Sequence, residues 1–129
     1  NRDKITEEMD ADHFIGQMKE DAKRALDAGI KKERIILDPG VGFAKTQEQN
    51  LMTIANLDRL KALGYPVLLG TSRKSVIGYV LDVPTDKRLV GTLATSAVAV
   101  QTGCMFVRVH DVKENVELIQ MLERIRESR

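Results

Sequence analysis

Pro66-Val67-Leu68-Leu69-Gly70-Thr71-Ser72-Arg73-Lys74-Ser75 is the stretch on which the reading of the fold turns. A short apolar run opened by proline reads as a buried strand, and Gly70 ends it. The polar turn Thr71 to Ser75 then leads into a short helix that stops around Asp82-Val83-Pro84, where proline and its predecessor both disfavour helix. The same grammar recurs on either side. Upstream, Arg34-Ile35-Ile36-Leu37-Asp38 is a β-branched run closed by Pro39-Gly40, followed by a Gly-rich loop through Gly42 and a helix from Thr46 to Leu63 with Leu51, Ile54, Leu57, Leu60 and Leu63 on one face. Downstream, a small-residue helix from about Arg88 to Gln101, expected to pack closely, precedes the strand Met105-Phe106-Val107-Arg108-Val109-His110. Asp111 can then cap a last helix from about Val112 to Arg126. An amphipathic helix from about Thr6 to Ala28, stopped by Gly29, comes before all of these.

The order is a helix followed by three strand-helix units, with no long linker, low-complexity run or internal boundary, so residues 1–129 are expected to form a single domain. Strands alternating with helices imply parallel pairing with right-handed crossovers. Near-continuous apolar runs in the strands imply a sheet covered on both faces. Such a sheet can belong to a barrel or to an open doubly wound fold. The chain opens Asn1-Arg2-Asp3-Lys4 without an initiator methionine and is expected to be a fragment or a processed product.

Composition narrows the classes of function. With 43% hydrophobic and 30% charged residues among 129, the chain has the balance of an ordinary globular protein. Twenty basic residues against nineteen acidic ones are interspersed and leave a net charge of +1, which asks for neither nucleic acid nor an anionic membrane. The longest nearly uncharged stretch, Leu89 to Val107, is broken by glycines and hydroxyl residues and makes a poor membrane span. No signal or transit segment is read. Cys104 is the single cysteine, which excludes an internal disulfide and fits a reducing cytoplasm; beside Met105, Phe106 and Val107 it reads as a small core residue.

All three strands finish in polar residues of a kind that packing alone does not require: Asp38 on the first, Lys74 and its neighbours after the second, Arg108 and His110 on the third. In an α/β barrel the C-terminal strand ends are where active sites form. Side chains alternate in a strand, so Arg108 and His110 face one side, with Val107 and Val109 facing the other. Each residue also has a plainer reading. Asp38 is also a turn residue before Pro39-Gly40. Ser72-Arg73-Lys74-Ser75 is also a solvated helix start, although two cations there oppose the helix dipole, a conflict an anionic ligand relieves. Arg108 is also a partner for an acid, and His110 a satisfied rim histidine. Three such sites at equivalent strand ends favour function over the separate plain readings.

Other motifs fail. Lys45 follows Ala44 where a phosphate-binding loop needs glycine, and Gly40-Val41-Gly42-Phe43-Ala44-Lys45 lacks the third glycine of the dinucleotide fingerprint. His13 has no spaced Cys or His partner, so no metal ligand is read there. The final helix reads as a barrel-covering helix whose Arg124, Arg126 and Arg129 complement its dipole.

Asp38-Pro39-Gly40-Val41-Gly42-Phe43, Gly70-Thr71-Ser72-Arg73-Lys74-Ser75 with Ile77-Gly78, Arg88-Leu89 followed by Gly91-Thr92, and Arg108-Val109-His110-Asp111-Val112 stand in the order and approximate spacing of the dihydropteroate synthase family, which the chain resembles along essentially its whole length. The resemblance implies the C-terminal portion of a (β/α)8 barrel, strands six to eight, of a fold that takes about 250 residues. The first five strands of such a barrel, with their share of the pterin grip, have no counterpart here, so the resemblance makes residues 1–129 a single, incomplete barrel domain. It further implies transfer of the dihydropterin-6-ylmethyl group from its pyrophosphate ester to p-aminobenzoate, in folate biosynthesis, with release of pyrophosphate.

The roles implied by the resemblance follow residue by residue. Asp38 resembles the carboxylate at the pterin's amino-pyrimidinone edge, and Lys74 the lysine that donates to the pterin and borders p-aminobenzoate. Phe43 and Gly70 are expected to line the ring pocket. Ser75 resembles the residue at the benzoate carboxylate, with Arg73 on its flank, and Arg108 and His110 the pyrophosphate-binding pair that stabilises the leaving group. Magnesium is expected to accompany the pyrophosphate, with no resident metal site on this chain. Competition by sulfonamides and a homodimer are implied too. Two alternatives remain at this level: an inactive half-barrel that self-associates through its open strand edges, and a corrinoid-linked pterin methyltransferase, against which the pyrophosphate-type cations speak.

Overall fold

The computed structural model describes residues 10–42 and 45–129. Six helices and two strands follow one another among these: α1 Ala11–Asp27, α2 Gln47–Ala55, α3 Leu57–Lys61, β1 Leu68–Leu69, α4 Ser75–Leu81, α5 Leu89–Thr102, β2 Phe106–Val107 and α6 Val112–Glu127, with short 3-10 turns at Lys32–Arg34 and Thr85–Lys87. The expected start of the first helix near Thr6 lies outside the described residues.

Local chemistry sets the helix ends. The Asp10 carboxylate accepts the His13 amide at 2.8 Å and caps α1. At the other end Gly29, with φ +94°, closes the helix while Ile30 N–H donates back to the Ala25 carbonyl at 3.1 Å. Thr46 and Gln49 form a reciprocal capping box at α2. The single helix expected from Thr46 to Leu63 is interrupted at Asn56, whose side-chain amide donates to the Met52 carbonyl at 2.8 Å. Asparagine competes for backbone groups in this way, and its backbone (φ −114°, ψ 22°) leaves the helical region. Helices α4, α5 and α6 begin and end within about a residue of their expected limits.

The strands are parallel, as the alternation of strand and helix implies: Leu68 pairs with Phe106 and Leu69 with Val107. The run Arg34 to Asp38, expected as a third strand, is reduced to one parallel bridge between Leu37 and Val67, made by Leu37 N–H to Pro66 O and Leu68 N–H to Leu37 O, both at 2.9 Å. The third strand expected to reach His110 ends at Val107, after which only Arg108 N–H continues the ladder, to Leu69 O at 2.9 Å.

Among the described residues the helices cover one face of the sheet. Ile35, Leu37, Val67 and Leu69 are buried under the helices, packed with Phe14, Ile54, Leu57, Leu60, Val76, Ile77 and Ala99, and Val107 joins them. Their strand neighbours Ile36 and Phe106 are exposed on the opposite face. A pleat alternates its side chains, so apolar residues on both faces do not by themselves supply a cover for both. The close packing expected of α5 is seen at Gly91, where an added Cβ would stand 2.3 Å from Ile77 Cγ2 of α4.

Candidate functional site

Parallel pairing brings the ends of the three segments together, and the open face carries the polar residues. Gly70, Ser72, Lys74, Arg108, Val109 and His110 line one cavity of about 120 Å3. The Arg108 guanidinium lies flat over Gly70: a Cβ there would be 2.7 Å from Nη2 and 3.1 Å from Cζ. Glycine thus admits the cation to the strand end. The Arg108 side chain makes no hydrogen bond or ion pair among the described residues. His110 sits beside it, its N–H donating to Ser72 Oγ at 3.0 Å and its Nδ1 2.7 Å from the same oxygen. That contact places Nε2 on the opposite edge of the ring. Val109 also lines the cavity, because strict alternation lapses once the strand has ended.

Lys74 reaches across the neighbouring loop. Its stem passes over Gly42, where an added Cβ would be 3.3 Å from Cδ, and Nζ donates to the Val41 carbonyl at 2.5 Å. Burial pushes its pKa below the ordinary lysine value, the Arg108 charge pushes the same way, and Asp38 partly opposes them. Asp38 itself is exposed and accepts the Gly40 amide at 2.8 Å, so it is a turn residue in addition to standing within electrostatic reach of two lysines.

The second of those lysines, Lys45, belongs to no phosphate-loop motif and supports the loop instead. Nζ donates to the Pro39 and Gly40 carbonyls at 2.8 and 3.0 Å and stands 5.8 Å from the centre of the Phe14 ring. Burial is the main cause that lowers its pKa, Asp38 raises it and Lys74 lowers it further. Asn50, buried, accepts the Gly42 amide at 2.8 Å. The loop that presents Asp38 is therefore held from beneath by Lys45 and Asn50. A cation seven residues past the strand end at Asp38, followed by a capped helix, was the available signal.

Two expected site residues stand apart from the cavity. Ser75 is exposed, and its hydroxyl accepts from Gln47 Nε2 at 3.0 Å. Arg73 turns to Asp111, with Nη2 to Oδ1 at 2.8 Å and Nε to Oδ2 at 3.3 Å, which holds its pKa above the usual arginine value. Asp111 consequently makes no side-chain cap on α6, contrary to expectation. Phe43 lies outside the described residues. No group of three His, Cys, Asp or Glu suited to a metal occurs among the described residues, and no helix among them is long and apolar enough to cross a membrane.

Two cations, an imidazole and a backbone-approach glycine meet at the end of a parallel sheet, an arrangement whose charge suits an anion and which many families share. Comparison with known proteins resolves which one. The profile of the family described as pterin binding enzyme matches residues 2–110. A dihydropteroate synthase of Clostridium beijerinckii is 49% identical over 126 residues, covering 97% of this chain and 47% of the relative. Among solved structures, a Clostridium difficile dihydropteroate synthase in the presence of pteroic acid superposes with a TM-score of 0.80 at 49% identity, over 87% of this chain and 44% of that one. A Yersinia pestis dihydropteroate synthase with a pterin-sulfa conjugate superposes with a TM-score of 0.83 at 37% identity, over 89% and 45%. The chain spans a little under half the length of these relatives. With the profile running through the Asp38 loop, the Lys74 turn and the Arg108-His110 end alike, the chain belongs to the pterin-binding enzyme family.

Proposed function

We propose that this chain is the C-terminal part of a dihydropteroate synthase whose closed (β/α)8 barrel needs a further N-terminal portion. The observation that carries the reading is the Arg108 guanidinium lying over Gly70 beside Lys74 and His110, at the end of parallel strands in a chain of this family. Burial and then the Arg108 charge oppose the ionisation of Lys74 in one small cavity, a conflict that a bound polyanion relieves. The exposed face of the sheet, with Ile36 50% and Phe106 42% exposed, is the face a barrel would enclose.

In this reading the aromatic amine of p-aminobenzoate attacks the exocyclic methylene of a dihydropterin pyrophosphate. A C–N bond forms, the C–O bond to pyrophosphate breaks, and the amine gives up a proton. Arg108 and His110 bind the departing pyrophosphate and stabilise the charge that develops on it. Asp38 accepts from the pterin's amino-pyrimidinone edge. Lys74 donates to the pterin and borders the benzoate, while Gly70 and Phe43 line the ring pocket. Arg73 and Ser75 serve the benzoate carboxylate, Arg73 from its place on Asp111. Magnesium enters bound to the pyrophosphate, which suits an ion that keeps its waters and takes substrate phosphates as ligands. Sulfonamides compete at the benzoate position. The protein works in the cytoplasm as a homodimer.

The test is a fluorescence titration of this chain with a pterin pyrophosphate analogue and magnesium, beside its Asp38→Ala variant. Turnover is assayed with the chain joined behind the N-terminal portion of the Clostridium beijerinckii relative. Saturable binding lost in Asp38→Ala, with turnover in the joined protein, is the expected result. An inactive joined protein that is folded and binds neither substrate would refute the reading.

A second reading, a half-barrel held together by self-association, is favoured by the same open face, to which Met105 adds a side chain 67% exposed. Sedimentation of the isolated chain decides it: a well-folded monomer at all concentrations counts against this reading.

A further inference from the structure

Helix α5 turns a polar stripe toward the catalytic end of the sheet. Arg88 at its cap, Thr92, Thr95 and Ser96 fall at helical spacings that share one face. Thr92 has no exposed surface and Ser96 is 2% exposed. None of the four lines the cavity at Lys74 and His110. Each instead bonds to a segment that does, or to its supports.

The main object of this stripe is Arg73, whose φ of +57° lies in the left-handed region that a residue with a Cβ enters only at a cost. Its peptide groups are held on both sides. The Arg73 N–H donates to Thr92 Oγ1 at 3.1 Å, and the Arg73 carbonyl accepts from Arg88 Nη1 at 3.0 Å. The Thr92 hydroxyl is itself oriented, donating to the Arg88 carbonyl at 3.0 Å, so a lone pair remains directed at Arg73. Arg88 also donates from Nε to the Val83 carbonyl at 3.2 Å. It crosses α4 at Gly78, where a Cβ would stand 2.4 Å from Nη2. Two residues earlier, Thr71 Oγ1 meets Thr95 Oγ1 at 2.5 Å. Ser96 Oγ donates to Asn115 Oδ1 at 2.6 Å, and Asn115 Nδ2 donates to the Asp111 carbonyl at 2.8 Å, tying the other loop to the same helix.

Ser72 and Lys74 stand on either side of Arg73. Ser72 bonds His110, and Lys74 reaches the Asp38 loop. Holding one left-handed peptide therefore fixes the bearings of both.

We infer that Thr92 and Arg88 are positioning residues, which hold Arg73 in its left-handed conformation and so set Ser72 and Lys74 against His110 and Arg108. The assignment of that cavity as a transferase site rests on the functional reading proposed above; the mechanical coupling does not.

The experiment compares Thr92→Val, which keeps the shape and removes the acceptor, with Thr92→Ser, which restores the hydroxyl. In this chain, nuclear magnetic resonance follows the His110 ring and the exchange of the Arg73 amide. Thr92→Val is expected to shift the His110 ring resonances and speed Arg73 exchange by roughly tenfold or more, and Thr92→Ser to resemble the unsubstituted chain. In the joined protein, Thr92→Val is expected to raise KM for the pterin pyrophosphate by about tenfold, because Lys74 and His110 both lose their bearings on it, with KM for p-aminobenzoate rising as well. Unmoved His110 resonances in a folded Thr92→Val chain overturn the inference, as does a Thr92→Ser chain altered as much as Thr92→Val. Should Thr92→Val not fold, Arg88→Met, which removes the donor to the Arg73 carbonyl, is read by the same resonances and the same criterion. Inactivity of the unsubstituted joined protein would count against the functional reading alone, and the resonances would still decide the positioning.

Discussion

Asp111 stands at the N-cap of α6, yet its carboxylate faces Arg73, 38 positions earlier, through two hydrogen bonds of 2.8 and 3.3 Å. The pair joins the loop after β1 to the loop after β2. Asp111 is the more enclosed partner, with 19% of its side chain exposed against 39% for Arg73. Asparagine keeps the size of aspartate, and no side-chain cap on α6 is there to be lost, but it cannot form the ion pair. Asp111→Asn is therefore expected to leave the melting temperature of the chain nearly unchanged, because partly solvated pairs contribute little to stability. Turnover in the joined protein is expected to fall roughly ten- to a hundredfold through misplacement of the loop. Thermal melts and steady-state rates check the two halves of this expectation.

Gly70→Ala separates the site from the fold. The added Cβ meets only the far end of the flexible Arg108 side chain, so stability is expected to change by no more than about 1 kcal/mol. Arg108 must swing away, and affinity for pyrophosphate is expected to drop by about tenfold, read by calorimetric titration. Unaltered pyrophosphate affinity in a folded Gly70→Ala protein would remove Arg108 from its proposed role.

Lys74 gives the site a pH signature. Its folded pKa lies below the ordinary value of 10.5, chiefly through burial and then through Arg108. Between the lowered value and 10.5 the unfolded chain holds more protons than the folded one, so stability rises with pH across that window. Relative to Lys74→Met, the unsubstituted chain is thus expected to gain stability as pH climbs through it; urea unfolding at a series of pH values measures the difference, which should not be flat. Arg108→Gln is expected to raise the Lys74 pKa without restoring it, since burial is the larger cause.

Lys45→Met tests the support beneath the Asp38 loop. The substitution deletes two bonds to the Pro39 and Gly40 carbonyls while keeping apolar contact with Phe14. A loss of about 1–2 kcal/mol is expected after allowance for partial solvent exposure. Denaturant midpoints report it. An unchanged midpoint would mean that water replaces the lysine at no cost.

Much of this was legible beforehand. Periodicity and stop signals placed α1, α4, α5 and α6 because those signals lie within a turn or two of the residues they govern. Gly29 ends α1, and Pro84 stands where α4 has already stopped. The polar strand ends pointed to Asp38, Lys74, Arg108 and His110, and the last three do meet or adjoin in one cavity, with Asp38 within electrostatic reach of Lys74. Asn56 escaped notice inside an otherwise regular leucine pattern, since its effect comes from one side-chain bond to Met52.

By itself, then, the amino-acid order determined the alternation of strands and helices, the parallel sense of pairing and the motifs of the family, all of which depend on near neighbours or on residue identity. Only the tertiary structure decided that Asp111 serves Arg73, that Thr92 and Arg88 grip the Arg73 peptide, that Arg34 to Asp38 pairs through a single bridge, and that one face of the sheet stands open. These are contacts between residues 15 to 38 positions apart, or the want of a covering layer. A hydrophobic period shows which side chains avoid water, but not what will cover them; an aspartate at a helix start cannot disclose, without coordinates, that a distant guanidinium has claimed it.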